Sequence, residues 1–162
     1  MVIREATPDD WPAIWPIFHA VVTAQETFVY DPSLDFDAAR VLWMEPPPSR
    51  VVVAVEGDGH VIGTAKAGPN HGGPGAHVAT GSFMVAPGAR GRGVGRALGE
   101  DAIAWARSAG FELMKFNAVA ESNMAAVGLW RSLGFEVLGT LPGGFRHPER
   151  GPVGLHQMWR RL

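Results

Sequence analysis

The sequence predicts an α+β fold: a mixed, largely antiparallel central sheet flanked by helices, within one domain spanning residues 1–162. Three observations predict it. In "RVVVAVEGDGHVIGTAKAG" (50–68), two β-branched runs flank Gly57-Asp58-Gly59, a pattern that joins neighbouring antiparallel strands by a hairpin. The strand-like "HVATGSFMVA" is followed by a glycine loop, then by Val94, Ala97, Leu98, Ala102, Trp105 and Ala106 at helical spacing. Strand and helix patterns continue to the last residue in the order β-α-α-β-β-β-α-β-α-β-β. The central strand-loop-helix-strand crossover must then be parallel and right-handed.

The elements follow in chain order. "VIREA" (2–6) alternates as a short strand. "TPDDW" supplies Thr7 as N-cap, Pro8 at the first helical position and Asp10 at the third, predicting a helix to about Gln25. Pro12 is tolerated in its first turn, whereas Pro16 removes a hydrogen bond and kinks it. "ETFVYDP" breaks the pattern, and a second helix covers Phe36 to Met44 before "EPPP" stops it. After the hairpin, a Gly/Pro/His loop (68–76) leads to the third long strand, and a helix runs from about Gly93 to Ala109, closed by Gly110. "ELMKFNAVA" is a strand, "ESNMAAVGLWRSLG" a helix ended by Gly134, and "FEVLGTL" and "VGLHQMWRRL" are the last two strands. No repeat or linker interrupts the chain.

Composition excludes several function classes. A net charge of -2 argues against a general nucleic-acid or membrane-surface binder, because such proteins need a broad basic face to displace counterions. The absence of cysteine removes disulfides, thiolate metal ligands and a nucleophilic thiol. No apolar run reaches the roughly 18 residues of a membrane span, and "MVIREATPDD" lacks the basic-then-apolar signal pattern, so the expected location is the cytoplasm. His71 and His77 flank the Gly/Pro loop, but without HExxH or a thiol partner the expectation is no metal.

The stretch "VAPGARGRGVGRAL" (85–98) concentrates bare backbone and positive charge where a strand leads into a helix. There the unpaired N–H groups and the positive end of the helix dipole point at one place, an anion site. Glycines 91, 93 and 95 let a large anion approach, and Arg90, Arg92 and Arg96 add charge, which suits a phosphate or pyrophosphate. The alternative is an ordinary glycine-rich turn with solvated arginines. It is not a P-loop, since no Gly-Lys-Ser/Thr occurs, nor a dinucleotide fingerprint, since Arg96 stands where the third glycine belongs.

The spacing Arg90-x-x-Gly93-x-Gly95 resembles the R/Q-x-x-G-x-G/A motif of the GCN5-related N-acetyltransferases (GNAT). "VAP", "NAVAESNMAAVGLWRSLGFEVLG" and the element order extend the resemblance over essentially the whole chain. It implies acetyl-CoA as co-substrate. The loop Arg90, Gly91, Arg92, Gly93, Val94, Gly95 and Arg96 would hold the pyrophosphate, and the strand Phe83-Met84-Val85 would pair with the pantetheine amides. Asn123 would contact the pantetheine or order the following helix. Many members use a strand Glu as base and a helix Tyr as acid; here those positions are Thr80 and Trp130. A thiol of pKa ~8.5 leaves without an acid, so the missing base matters more: an amine near ~10 stays protonated, one near ~8 is already partly neutral. This favours a weakly basic amine, or a water relay from Glu26, His77 or a backbone carbonyl.

The chain resembles more closely the L-azetidine-2-carboxylate (proline-analogue) acetyltransferase branch, in "NxVxxxNxxAVxLWxxLGF" and the tail "PGGFRHPERGPVGLHQMWRRL". Two of that branch's three site asparagines match Asn117 and Asn123, and the third falls on Thr80. Asn117 is the candidate catalytic residue, its amide either accepting from the amine N–H or donating to the developing oxyanion, with a strand-bulge role as the alternative. Phe28, Tyr30, His77 and Thr80 are candidate substrate contacts, the aromatics being equally suited to core packing. Arg146, His147 and Arg150 form a basic loop that either meets a substrate carboxylate or is simply solvated. The implied activity is N-acetylation of a small-molecule amine, an amino acid or amino-acid-like toxin. The alternatives are a peptide N-acetyltransferase and a non-catalytic CoA-binding module. A homodimer is allowed by analogy, with no nucleic-acid or membrane partner.

Overall fold

A computed structural model describes residues 1–162 and contains the expected order of elements: β1 (Val2–Glu5), α1 (Trp11–Thr23), α2 (Phe36–Trp43), β2 (Arg50–Val55), β3 (Val61–Pro69), β4 (Val78–Val85), α3 (Val94–Ser108), β5 (Leu113–Ala120), α4 (Met124–Ser132), β6 (Glu136–His147) and β7 (Gly151–Arg161). The seven strands form one sheet in the order β1-β2-β3-β4-β5-β7-β6. Every neighbouring pair is antiparallel except β4 and β5, which are parallel across α3. No helix is long and apolar enough to cross a membrane.

Strand periodicity decides which helix covers which face. On β2, Val51 and Val53 join Trp11, Ile14, Phe18, Val22 and Trp43 under α1 and α2. Their neighbours Val52 and Ala54 turn to the other face and meet Ile62, Ala65, Val94 and Leu98 beneath α3. A third cluster joins Met114, Phe116, Val127, Trp130, Phe135 and Met158 between β5, β7 and α4. Each fully buried large side chain stabilises the fold by about 1.5–3 kcal/mol relative to exposure. Polar atoms in the first core are satisfied internally: Trp43 Nε1 donates to Thr64 Oγ1 at 3.0 Å, and that hydroxyl donates to the Val52 carbonyl at 2.9 Å.

The structure departs from the sequence reading at two places. The first helix does not begin at Thr7; a 3₁₀ turn, Pro8–Asp10, precedes α1. Thr7 N–H donates to the Asp10 carboxylate at 2.7 Å, and the Arg4 guanidinium grips both Asp10 oxygens at 2.7 and 2.8 Å, fixing the entry. At the other end, β6 runs on through Pro142 to His147, so most of the segment read as a basic loop is strand and only a short turn remains before β7. Pro142 is tolerated because β6 is the outermost strand and its ladder is irregular between Leu141 and Phe145.

Candidate functional site

The site grows from an interruption in the sheet. β4 and β5 pair only at Val78↔Leu113 and Ala79↔Met114; beyond them the strands separate. β4 stays bonded to β3 as far as Val85↔Gly63, so its other edge from Thr80 to Val85 has no strand partner. On the far side, β5 bulges against β7 between Phe116 and Val119, which takes Asn117 out of regular register.

One end of the split meets the glycine-arginine loop. Gly91 (φ +76°) and Gly93 (φ +81°) adopt left-handed backbone that glycine alone enters without strain. Their turn aims the first N–H groups of α3 into a cavity of about 640 Å³ lined by Arg90, Gly91, Gly93, Val94, Gly95 and Arg96. Phe83, Met84 and Val85 form another wall, and Ser122, Asn123, Ala126 and Leu129 of the α4 end the opposite one. Gly95 faces this space from the first helical turn; a Cβ there would stand 3.4 Å from Leu129 and 3.7 Å from Val85. Arg92 lies elsewhere: it is paired with Glu56 at the β2–β3 turn and does not line the cavity. Arg96 donates to Ser132 Oγ at 2.8 Å while still bordering it.

The split continues into a smaller cavity of about 170 Å³ lined by Thr27, Phe28, Tyr30, Thr80, Ser82, Phe116, Asn117 and neighbours. The two cavities share Thr27, Phe28, Phe83, Asn123, Ala126 and Trp130 as walls, so they adjoin along the split. The rings of Phe28 and Tyr30 stack at 5.4 Å, pack on the first core and also line the smaller cavity. Asn123 Oδ1 caps α4 by accepting from Ala126 N–H at 3.2 Å, and Trp130 is held among Phe83, Phe116 and Phe135. His77 lies outside both cavities, three residues before Thr80, with its ring Nδ1 3.1 Å from the Pro74 carbonyl.

Two contributors escaped the sequence reading, Ser82 and Glu149. Ser82 was readable as the residue two along β4 from Thr80. Glu26, named above as a relay candidate, and His147 and Arg150 of the basic segment border the larger cavity together with Glu149, a proximity created only by tertiary packing. No carboxylate or imidazole lines the smaller cavity, and no group of three or more metal-ligating side chains comes together in the protein. Chemically, the split offers an anion cradle at one end, an open strand edge along its length and an uncharged, aromatic chamber with amide and hydroxyl groups at the other.

Comparison with known proteins gives the family and the fold. Residues 9–135 match the acetyltransferase (GNAT) family. A GCN5-related N-acetyltransferase from Kribbella flavida superposes with a TM-score of 0.97 at 57% identity, over 99% of this chain and 97% of that one. The structure of yncA, an acetyltransferase from Salmonella typhimurium described with its cofactor acetyl-CoA, gives a TM-score of 0.84 at 30% identity, over 100% of this chain and 94% of that one. An L-methionine sulfoximine/L-methionine sulfone acetyltransferase from Pseudomonas aeruginosa is 32% identical over 86% of this chain and 83% of its own length. The chain spans only 46% and 12% of the lengths of two yeast relatives that it matches over 96 and 74 residues. The chain belongs to the GNAT acetyltransferase family, and the split sheet with its glycine-arginine loop is the architecture of an acetyltransferase.

Proposed function

We propose that this protein is an acetyl-CoA-dependent N-acetyltransferase acting on the amine of a small molecule of the amino-acid class. The observation that carries the reading is the adjacency of the two cavities: the glycine-arginine cradle and the aromatic chamber share walls and lie side by side along the free edge of β4. The residues fit the co-substrate. Arg90, Arg96 and the α3 N–H groups suit its pyrophosphate, the Thr80–Val85 edge suits its amides, and the thioester would supply the acetyl group near Asn117. The relative acting on L-methionine sulfoximine supports a substrate of amino-acid size.

The residues divide the work by chemistry. The aromatic walls formed by Phe28, Tyr30 and Phe116 exclude water and hold the apolar part of the acceptor. Thr80 and Ser82 offer hydroxyls along the edge. The Asn117 amide holds an amine N–H or steadies the acetyl oxygen as it gains charge. With no carboxylate or imidazole in the chamber, the enzyme takes the amine already neutral; the nitrogen bonds the acetyl carbon as the C–S bond breaks, and the proton the nitrogen sheds passes to the departing thiolate or to solvent.

Thiol release from acetyl-CoA tests this against an amine panel containing methionine sulfoximine, azetidine-2-carboxylate, proline analogues and a short peptide, over about pH 6.5 to 9. The expected result is turnover of one amino-acid analogue with a rate that rises with pH and levels off near that amine's own pKa. Turnover of the peptide alone would replace the small-molecule reading; CoA binding with no turnover of any amine would replace the enzymatic one.

A further inference from the structure

Asn117 has a partner that no motif announces. β3 ends at Pro69, paired with Ala79, and the next residue, Asn70, continues the ladder by donating its backbone N–H to the Val78 carbonyl at 2.7 Å. That anchors Asn70 at the closed end of the split. From there its side chain crosses the line of β4, and its Oδ1 accepts a hydrogen bond from Asn117 Nδ2 at 2.6 Å, across 47 residues of sequence. Asn117 lines the acceptor chamber, whereas Asn70 does not.

An asparagine amide has two ends of opposite character, and a free one rotates to suit whatever approaches. The bond from Asn117 Nδ2 to Asn70, on the solvent-open side of the split, favours one of the two orientations. Nitrogen is turned to Asn70, and the carbonyl oxygen is left without a protein donor. The bulge at Phe116–Val119 favours the same outcome, since it frees Asn117 from the regular β7 ladder.

We propose that Asn70 is a positioning residue for acetyl transfer: by accepting from Asn117 Nδ2, it fixes the Asn117 carbonyl oxygen as the acceptor for the amine N–H. This rests on the reading that Asn117 meets the amine. Of the two roles open to the Asn117 amide, holding the amine is therefore the principal one. A neutral acceptor orients an amine with its lone pair toward the thioester carbon but takes no proton from an ammonium, in keeping with a chamber free of carboxylate and imidazole.

The test compares steady-state kinetics of Asn70→Ala, Asn70→Asp, Asn117→Ala and the Asn70→Ala/Asn117→Ala double variant, with the Asn117 side-chain N–H followed by NMR in the first two and the parent. Asn70→Ala is expected to lower kcat about tenfold, the worth of one well-placed hydrogen bond, leaving the KM for acetyl-CoA within about twofold. Asn70→Asp, which still accepts, is expected to keep kcat within about threefold, and the double variant to be no slower than Asn117→Ala alone, because both remove the same interaction. One slowly exchanging Asn117 Nδ2 proton should be present in the parent and in Asn70→Asp and lost in Asn70→Ala, whatever the activity. Unchanged kcat in Asn70→Ala while Asn117→Ala is impaired would overturn the positioning role and leave the enzymatic reading standing. So would losses that multiply in the double variant, or the absence of a protected side-chain proton in the parent. Full activity in Asn117→Ala would instead remove the reading on which it rests.

Discussion

The rings of Phe83 on β4 and Trp130 on α4 stand 4.7 Å apart, centre to centre, tilted by 51°. Both line the two cavities, at the seam where these adjoin. Trp130 also lies 4.7 Å from Phe116, which stacks on Phe135 at 4.4 Å, so the indole is part of a packed aromatic cluster and not a free side chain.

Replacing Trp130 by Tyr puts a phenol where the resemblance noted above expects the acid. Because a thiol of pKa ~8.5 leaves readily unaided, kcat is expected to change by less than about threefold. Stability is expected to fall by about 1–3 kcal/mol from the shape change in a filled core, read by thermal unfolding. A rise in kcat of more than about tenfold would mean that leaving-group protonation limits the parent enzyme.

The buried pair Trp43–Thr64 gives a second expectation. Thr64→Val keeps the volume but strips the indole N–H of its acceptor and the Val52 carbonyl of a donor. A loss of about 1–3 kcal/mol in urea unfolding is expected, with Thr64→Ser retaining part of it by keeping the hydroxyl.

The three loop arginines are not equivalent. Arg90 and Arg96 border the larger cavity, and Arg92 is tied to Glu56 outside it. Arg90→Ala or Arg96→Ala should raise the KM for acetyl-CoA about tenfold at low salt, whereas Arg92→Ala should stay within about twofold. Equal effects from all three would mean that bulk positive charge, not contact, governs binding.

At the N-terminus, the Arg4 guanidinium, and after it the Thr7 N–H and hydroxyl, hold the Asp10 carboxyl well below the usual carboxylate range. A carboxyl depressed in the folded state stabilises above its unfolded pKa of ~3.9, and that stabilisation is lost as pH falls through the folded value. Asp10→Asn is therefore expected to cost about 1 kcal/mol at neutral pH, with the gap to the parent closing as pH drops below about 4. A gap constant from neutral to strongly acid pH would refute the ionic origin of the effect.

Much of this was legible before the fold was known, for local reasons. The alternation Val51, Val52, Val53, Ala54 already assigns two faces to β2, and the Gly57-Asp58-Gly59 turn already folds it onto β3. The spacing of Arg90, Gly93 and Gly95 places the glycine-arginine loop at the start of α3, beside the larger cavity, because helix-end geometry is local. What failed was what depends on distant partners. Arg92 lies between two cradle arginines in sequence, but its side chain goes to the neighbouring hairpin. His77 precedes Thr80 by three residues and so remains at the end where the strands are still paired. The segment from Pro142 to His147 carries turn residues, yet pairing with β7 makes it strand. Asn70 stands in no motif; only the ending of β3 beside the split puts it against Asn117.

The unpaired stretch of β4 also sets a length. Thr80 to Val85 spans about 17 Å at the rise of an extended chain. The split thus works as a ruler: a small anion occupies one end and a small amine the other, and neither covers the bare peptide groups between. A molecule that filled the whole distance would have to lie extended, with polar groups along its length to meet the peptide groups of Thr80 to Val85.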